Sequence, residues 1–189
     1  MSELQAPEDP PSRYNSSSQG LHWLSAALMF TVVPIAWYMQ TLAKDAPGRG
    51  DWYTVHKSIG MLILLLTLVR LGWRHFAPKP APLATLRPWE TFLSGAIHIL
   101  LYLILLGMPL SGYIGSTAAG RPVTLFNLVT VPALFAPDKA LAHLAHEAHE
   151  AGQWAVYLLV ALHVAAALFH ALIRRDGVLR RMLPAWAAR

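Results

Sequence analysis

Residues 149–170 read HEAGQWAVYLLVALHVAAALFH, and this stretch decides the fold. A helix that crosses a bilayer needs about 20 consecutive, mostly apolar residues. The run 151–173, between Glu150 and Arg174, is longer than that and carries no formal charge. It therefore predicts a membrane-spanning helix that has histidines at its start, in its middle and at its end.

Three further uncharged runs precede this one. Residues 14–43 hold the first span and residues 91–120 hold the third. The run 58–69 is shorter, but Trp52 and Trp73 bracket it as tryptophans do at membrane interfaces. The predicted fold class is all-α, a transmembrane four-helix bundle. The spans are expected at about 19–42, 52–74, 90–115 and 143–175.

The composition of the whole chain indicates the same environment. Of the 189 residues, 55% are hydrophobic and 13% are charged, whereas a soluble domain carries about 25% charged residues. Too little polar surface is left to cover a water-soluble globule, so we expect an integral membrane protein in a lipid bilayer. The chain has no cysteine, which excludes disulfides, iron–sulfur clusters, thiolate zinc sites and covalently attached c-type haem.

The predicted four-span domain covers residues 19–176. Residues 1–18 are polar and rich in proline and serine, so we expect a flexible tail in which a serine caps the first helix. Residues 177–189 are expected to form a basic C-terminal tail. The connection after Arg121 contains VTLFNLVTVPALFAP, which is too short and proline-broken to span. We expect it on the outer surface of the bundle as a short interfacial helix, and we expect Pro109 to kink the third span.

The distribution of lysine and arginine predicts the orientation. With four spans, both tails and the second loop share one side, and that side carries ten of the 15 basic residues. Because cytoplasmic loops carry the excess of basic residues, both termini are predicted to be cytoplasmic. The net charge of +5 is then a topology signal, and no nucleic-acid partner is expected. The ten residues are Arg13, Arg70, Arg74, Lys79, Arg87, Arg174, Arg175, Arg180, Arg181 and Arg189.

The nine histidines are informative because ionisable residues inside membrane spans are rare and usually functional. His149 and His163 are separated by a rise of about 21 Å and lie within about 40° of each other on one helix face. Two ligands stacked in this way suit two haems, since haem iron takes axial imidazoles from facing helices. Matching depths along the spans pair His56 with His149 and His22 with His163.

These assignments leave alternatives open. An ordinary hydrogen bond between helices is the alternative to ligation at all four positions. His146 lies one turn from His149 and could replace it, and His170 could replace His163. His98 is either a satisfied buried polar group or part of a quinone pocket.

Two other histidine patterns are expected to be structural. His143, His146 and His149 follow each other at intervals of three residues, which could suggest a surface metal site. Successive steps of three rotate steadily around a helix, however, and no carboxylate-supported zinc pattern is present. We therefore expect a solvated helix start there, and we expect His75 to lie at the membrane interface.

These features, taken in order, resemble the bacterial cytochrome b561 family, the inner-membrane di-haem type, over residues 12–184. The resemblance rests on SRYNSSSQGLHWLSA in the first span and VHKSIGMLILLLTLVRLGWR in the second. AIHILLYLILLGMPLSGY in the third span, the fourth-span stretch quoted above and the short DGVLRRMLP near the C-terminus complete it.

The resemblance implies two haem b groups, electron transfer across the bacterial inner membrane, and ubiquinone as electron acceptor. One better-studied member is a superoxide oxidase, which implies an oxidoreductase that takes electrons from periplasmic superoxide. The outer loop of this chain departs from the family and would shape any superoxide entrance. The family's axial ligands to haem iron are matched by His22, His56, His149 and His163.

The resemblance also suggests residues around the haems and the quinone. His98 and His170 match family histidines that are not axial ligands, and either could form a hydrogen bond with a quinone carbonyl. Arginine pairs with carboxylates in a bidentate manner, although these basic residues could equally anchor helix ends. Candidates for contacts with haem propionates are Arg70, Arg74 and Arg175 on the cytoplasmic side, and Arg49 and Lys57 on the outer side.

Two other functions are open at this point. The first is a related di-haem subunit that relays electrons from a partner dehydrogenase or hydrogenase to quinone. The second is a haem-free transport or structural protein. It is disfavoured because the spans show no broken helix pair, no inverted repeat and no buried Asp or Glu.

Overall fold

The computed structural model describes residues 12–187, and within them the chain is mostly helical. Four helices are long and apolar enough to cross a membrane, which confirms the predicted fold class. The elements are α1 (Ser16–Thr41), α2 (Arg49–Phe76), α3 (Pro88–Ala118), β1 (Val123–Leu125), β2 (Val129–Val131) and α4 (Lys139–Leu168), which continues as a π-helical turn over Phe169–Arg174. Short 3-10 turns follow at Leu179–Arg181 and Ala185–Ala187.

The start of α1 differs from the expectation. The helix begins at Ser16, inside the segment predicted as a flexible tail, and its cap is Asn15 rather than a serine. The Asn15 side chain accepts a hydrogen bond from the Ser18 backbone N–H at 2.8 Å, which satisfies one of the free donors at the helix start. The rest of the predicted tail, residues 1–11, lies outside the described residues.

The helices pack in chain order, α1 on α2, α2 on α3 and α3 on α4. The backbones of α3 and α4 approach closely where Gly115 faces Ala145, as small residues allow in membrane bundles. Pro109 is buried inside α3, and the helix continues past it to Ala118. One cluster of buried apolar residues on α1 and α2, which we call the apolar core, consists of Val32, Ile59 and Ile63.

The connection between α3 and α4 is a β-hairpin, so the expected interfacial helix is wrong. β1 and β2 pair antiparallel, with Thr124 opposite Thr130. The three-residue loop between them, residues 126–128, places Phe126 and Asn127 at φ values of 48° and 60°, in the left-handed region of the backbone. The alternating Val and Thr residues of the strands are β-branched and favour this structure over a helix.

The C-terminal segment packs back on the bundle. The Trp23 indole N–H donates to the Met182 carbonyl at 2.8 Å, and the Tyr14 N–H donates to the Arg181 carbonyl at 3.2 Å. The described part of the predicted tail, residues 177–187, is therefore held against the start of α1, whereas residues 188–189 lie outside the described residues. We call this end of the bundle the termini end and the opposite one the hairpin end.

Candidate functional site

Two histidine pairs face each other across the bundle, one at each end. At the hairpin end, the ring centroids of His56 on α2 and His149 on α4 are 6.1 Å apart, with ring planes at 85°. At the termini end, the centroids of His22 on α1 and His163 on α4 are 6.0 Å apart, with ring planes at 67°. The structure thus brings together the same residues that matching depths paired in the sequence.

The ring of His149 is fixed by α3. Its Nδ1 lies 2.9 Å from the Met108 carbonyl oxygen and 3.1 Å from the Ser111 hydroxyl. Because a carbonyl oxygen only accepts, Nδ1 carries the proton and Nε2 is left with a free lone pair. This is the arrangement that orients a metal-binding histidine.

A glycine makes room for the same ring. A Cβ atom on Gly112 would lie 3.0 Å from Cε1 and 3.2 Å from Nδ1 of His149. Any larger residue at this position would therefore push the imidazole away from α3. Sequence reasoning missed Gly112 and Ser111, because nothing in the sequence shows which face of α3 lies against His149.

The partner of His149 is less constrained. The Nδ1 atom of His56 is buried and has no hydrogen-bond partner among residues 12–187. Below it on the same face of α2, Ile59 and Ile63 belong to the apolar core. Along the helices, that core lies between the two histidine pairs.

The termini-end pair lies among basic and polar side chains. A guanidinium nitrogen of Arg70 is 3.4 Å from Nδ1 of His22, and the His98 ring centroid is 5.3 Å from that of His163. The Arg70 guanidinium lies over the ring of Tyr102. Because arginine only donates, this contact requires that Nδ1 of His22 carry no proton. A His22 that bound a metal through Nε2 would carry its proton on Nδ1, and Arg70 would then be free to donate to another acceptor.

A cavity of about 310 Å³ opens between α2 and α3 beside this pair. Its polar lining comes from Arg74, His98 and Tyr102, and the rest is apolar. The His98 Nδ1 lies 2.6 Å from the Ser94 carbonyl oxygen, so its proton is on Nδ1 and Nε2 is free. The Arg74 guanidinium lies 5.7 Å from the centre of the Tyr102 ring.

The structure keeps several other candidates away from the two pairs. His146 and His143 are exposed on α4, and they contact Glu150 at 3.2 Å and Glu147 at 3.4 Å. Arg175 reaches only the Leu172 carbonyl. Neither His146 nor Arg175 therefore takes part in the site as the structure arranges it.

His170 pairs with Asp176 at 2.6 Å. Arg174 joins this pair to Glu90 at the start of α3. Burial alone would raise the pKa of the Asp176 carboxyl, but hydrogen bonds from His170 and the Val178 N–H hold that pKa below its ordinary value. The cluster ties the end of α4 to α3.

The outer basic candidates bind protein atoms. Arg49 donates to the Tyr53 hydroxyl at 2.9 Å. Lys57, which follows His56 directly, donates to the Pro122 carbonyl at 2.8 Å.

The geometry of the pairs fits a metal ion held within a macrocycle. An imidazole nitrogen binds a metal at about 2 Å, so two nitrogens on opposite sides of one ion lie about 4 Å apart and the ring centres farther. The centroid separations of 6.0 and 6.1 Å leave that room. Among residues 12–187 no group of three or more His, Asp or Glu side chains could hold an ion. Two ligands suffice where a porphyrin supplies the remaining nitrogens.

Comparison with known proteins agrees with this geometry. The sequence model of prokaryotic cytochrome b561 matches residues 13–185. The chain belongs to the prokaryotic cytochrome b561 family. This family binds haem b and transfers electrons in membranes, so the chain is a membrane electron-transfer protein. Together with the four apolar helices, the family indicates the bacterial inner membrane.

Three relatives match nearly the whole chain. Cytochrome b561 homolog 2 of Escherichia coli (strain K12) is 36% identical over 177 residues, which cover 92% of both chains. Cytochrome b561 homolog 1 of the same organism is 27% identical and covers 92% of this chain and 98% of the relative. A protein of Yersinia pestis named probable superoxide oxidase CybB is 29% identical over 91% of this chain and 96% of its own.

Proposed function

We propose that the chain is a di-haem b cytochrome that moves electrons from superoxide at the hairpin end to ubiquinone at the termini end. The observation that carries the proposal is the presence of two facing histidine pairs, separated along α4 by about 21 Å and by an apolar core. A single cofactor would need one pair. Two pairs at opposite ends connect the two faces of the membrane.

In this proposal His56 and His149 hold one haem b, and His22 and His163 hold the other. Bound haem supplies reversible one-electron chemistry at its iron. The chain orients the His149 ring through the Met108 carbonyl and the Ser111 hydroxyl.

Arg70 and Arg74 are the proposed partners of the propionates at the termini end. Both guanidinium groups lie near Tyr102. Arg70 is half-buried, and burying such a charge is costly unless it is paired. A carboxylate at this position would supply the missing charge. For Arg175, which the sequence suggested for the same role, the contact found among residues 12–187 is with the Leu172 carbonyl, and it does not support that role.

The cavity beside His98 supports a quinone site at the termini end. The Tyr102 hydroxyl supplies a donor for a quinone carbonyl, whereas the unprotonated Nε2 of His98 can accept from a quinol hydroxyl. The opening between α2 and α3 gives an isoprenoid tail access from the membrane. His170, the other candidate, is not among the residues that line this cavity.

Superoxide as donor is supported by chemistry and by one relative. Superoxide is an anion, and Lys57, which follows His56 in the sequence, places its ammonium at the hairpin end by the Pro122 carbonyl, where a positive potential attracts small anions. A relative named as a probable superoxide oxidase is 29% identical. The distribution of basic residues supports a periplasmic hairpin end and cytoplasmic termini.

The test is haem content followed by electron transfer in the detergent-purified protein. We expect two b haems per chain by pyridine haemochrome, their reduction by enzymatically generated superoxide, and reoxidation by a short-chain ubiquinone. One haem or none would overturn the di-haem proposal. If superoxide did not reduce the haems but a partner dehydrogenase did, that dehydrogenase would replace superoxide as the electron donor. The chain would then belong to a relay complex.

A further inference from the structure

The β-hairpin carries an exposed apolar surface without charge. Between Pro122 and Pro137 the sequence has no charged residue. We define the hairpin patch as Phe126, Leu128, Val129 and Leu134, whose exposed fractions are 45%, 84%, 61% and 74%. Contiguous exposed apolar surface of this kind marks an interaction with a membrane or with a protein.

The patch is held in a fixed place by α2. The Phe126 N–H donates to the Ser58 hydroxyl oxygen at 2.8 Å, and the Ser58 hydroxyl lies 3.2 Å from the Thr124 carbonyl. The Ser58 side chain is fully buried, and Val123 at the start of β1 is 1% exposed. The turn of the hairpin therefore lies beside the third turn of α2.

That position is the level at which the helices enter the apolar layer. Ser58 is the first residue of the uncharged run of α2, directly after Lys57. On α4 the charges end at Glu150, one residue past His149, which faces His56. The hairpin thus folds back from the end of α3 to the depth at which charged residues give way to apolar ones on both helices.

We propose that the hairpin patch inserts into the interfacial layer of the bilayer at the hairpin end. Apolar side chains gain free energy when they leave water for the boundary between headgroups and acyl chains. The Phe126 N–H of the turn finds its hydrogen-bond acceptor in the Ser58 hydroxyl, and polar backbone groups need such partners in that layer. A protein partner would need the patch to stand in water above the membrane, and the contacts with Ser58 hold it lower.

The insertion would also direct access to the histidine pair at the hairpin end. The hairpin packs on α2 and α3, so it and the lipid beneath it cover that side of His56 and His149. A water-soluble electron donor would then approach from the side of α1 and α4. The proposal itself rests on depth and exposure and does not depend on haem.

The absence of cysteine in the natural sequence allows a clean test. Leu128→Cys and, as matched control, His143→Cys would each be labelled with an environment-sensitive nitrobenzoxadiazole dye in the full chain, reconstituted in phosphatidylcholine vesicles. Both sites are exposed and lie at the hairpin end, but His143 stands six residues before His149 on the charged start of α4.

We expect the dye at position 128 to emit at shorter wavelength and to lose most of its fluorescence to nitroxide-labelled lipid, whereas aqueous iodide quenches the dye at position 143. A second variant, Leu134→Cys, should behave as position 128 does. If iodide quenched the dye at 128 as strongly as at 143, with no quenching by the lipid, the patch would face water. That result would overturn the proposal and assign the patch to a protein partner.

Discussion

The two histidine pairs have the same chemistry and nearly the same ring separation, yet their surroundings differ. At the hairpin end His149 is held by the Met108 carbonyl and the Ser111 hydroxyl, and Gly112 lies against its ring. These contacts are neutral and rigid. At the termini end the pair is surrounded by Arg70, Arg74, His98 and Tyr102, beside an open cavity.

These different surroundings suit two different roles in a binding site. Neutral hydrogen bonds and a close glycine set the position of a ligand, whereas arginine side chains and a cavity provide for a charged or polar group that arrives from outside the chain. We therefore expect substitutions at the hairpin end to change occupancy and geometry. Those at the termini end should change potential and acceptor binding.

The largest effect is expected from removal of one ligand. His56→Ala should halve the haem content by loss at the hairpin end, and His22→Ala should halve it by loss at the termini end, because each iron then keeps a single axial histidine. Pyridine haemochrome and reduced-minus-oxidised spectra measure this. His146→Ala, which lies on the exposed face of α4, is the control and should retain both haems. If either variant lost both haems, the two ends would not be independent.

The next effect tests the rigidity of the hairpin end. Gly112→Ala places a methyl group 3.0 Å from Cε1 of His149, and overpacking of this kind costs about 1–3 kcal/mol. We expect lower occupancy and an altered spectrum of the hairpin-end haem alone. Gly107→Ala on the same helix is the matched control, since its Cβ would meet nothing within 4 Å. Equal effects of the two variants would show that the close approach has no role.

A smaller effect should reveal the charge at the termini end. Arg70→Gln removes a positive charge beside His22, and the loss of this charge makes electron uptake less favourable. The midpoint potential of the termini-end haem should therefore fall by roughly 30–60 mV, where 59 mV corresponds to a tenfold change in the equilibrium constant for one electron. Arg175→Gln is the control. Redox titration distinguishes the two haems. A shift confined to the hairpin-end haem would contradict the assignment of Arg70.

The smallest effect concerns the cluster that ties α4 to α3. The pKa of Asp176 is lower in the folded chain than its ordinary value, so the ionised carboxylate stabilises the fold at any pH above the unfolded value of about 3.9. This stabilisation is lost as the pH falls through the lower, folded pKa. Asp176→Asn should therefore melt at a lower temperature than the natural chain at pH 7, and the two curves should converge below about pH 4.

Thermal unfolding in detergent followed by circular dichroism measures this difference. Asp45→Asn, on the loop between α1 and α2, is the control and should melt as the natural chain does. A constant difference between the Asp176→Asn variant and the natural chain across the whole pH range would show that packing, rather than charge, explains the role of Asp176.

Much of the site could be predicted because helix geometry is regular. The spacing of His149 and His163 gives their common face and separation without any tertiary information, and the depth of His22 and His56 follows from chain direction. The choice between His149 and His146 was less certain in the sequence. In the structure it depends on the contact of His149 with Met108 on another helix.

Other features of the fold could not be predicted from the sequence. The hairpin depends on left-handed backbone at Phe126 and Asn127, which a hydrogen bond from Phe126 to Ser58 stabilises. Asn15, rather than a neighbouring serine, caps α1. Each of these outcomes depends on contacts or on backbone choices that several residues could make equally well.

The sequence by itself determined that the chain lies in a membrane, that four helices cross it, and where along them the histidines stand. Hydrophobicity and helical periodicity are local properties, so both can be determined directly from the sequence. Only the tertiary structure decided that Gly112 admits the His149 ring, that Ser111 and Met108 hold that ring, and that Arg70 lies beside His22. Those facts depend on the rotation of each helix about its axis, which is set by packing against neighbouring helices.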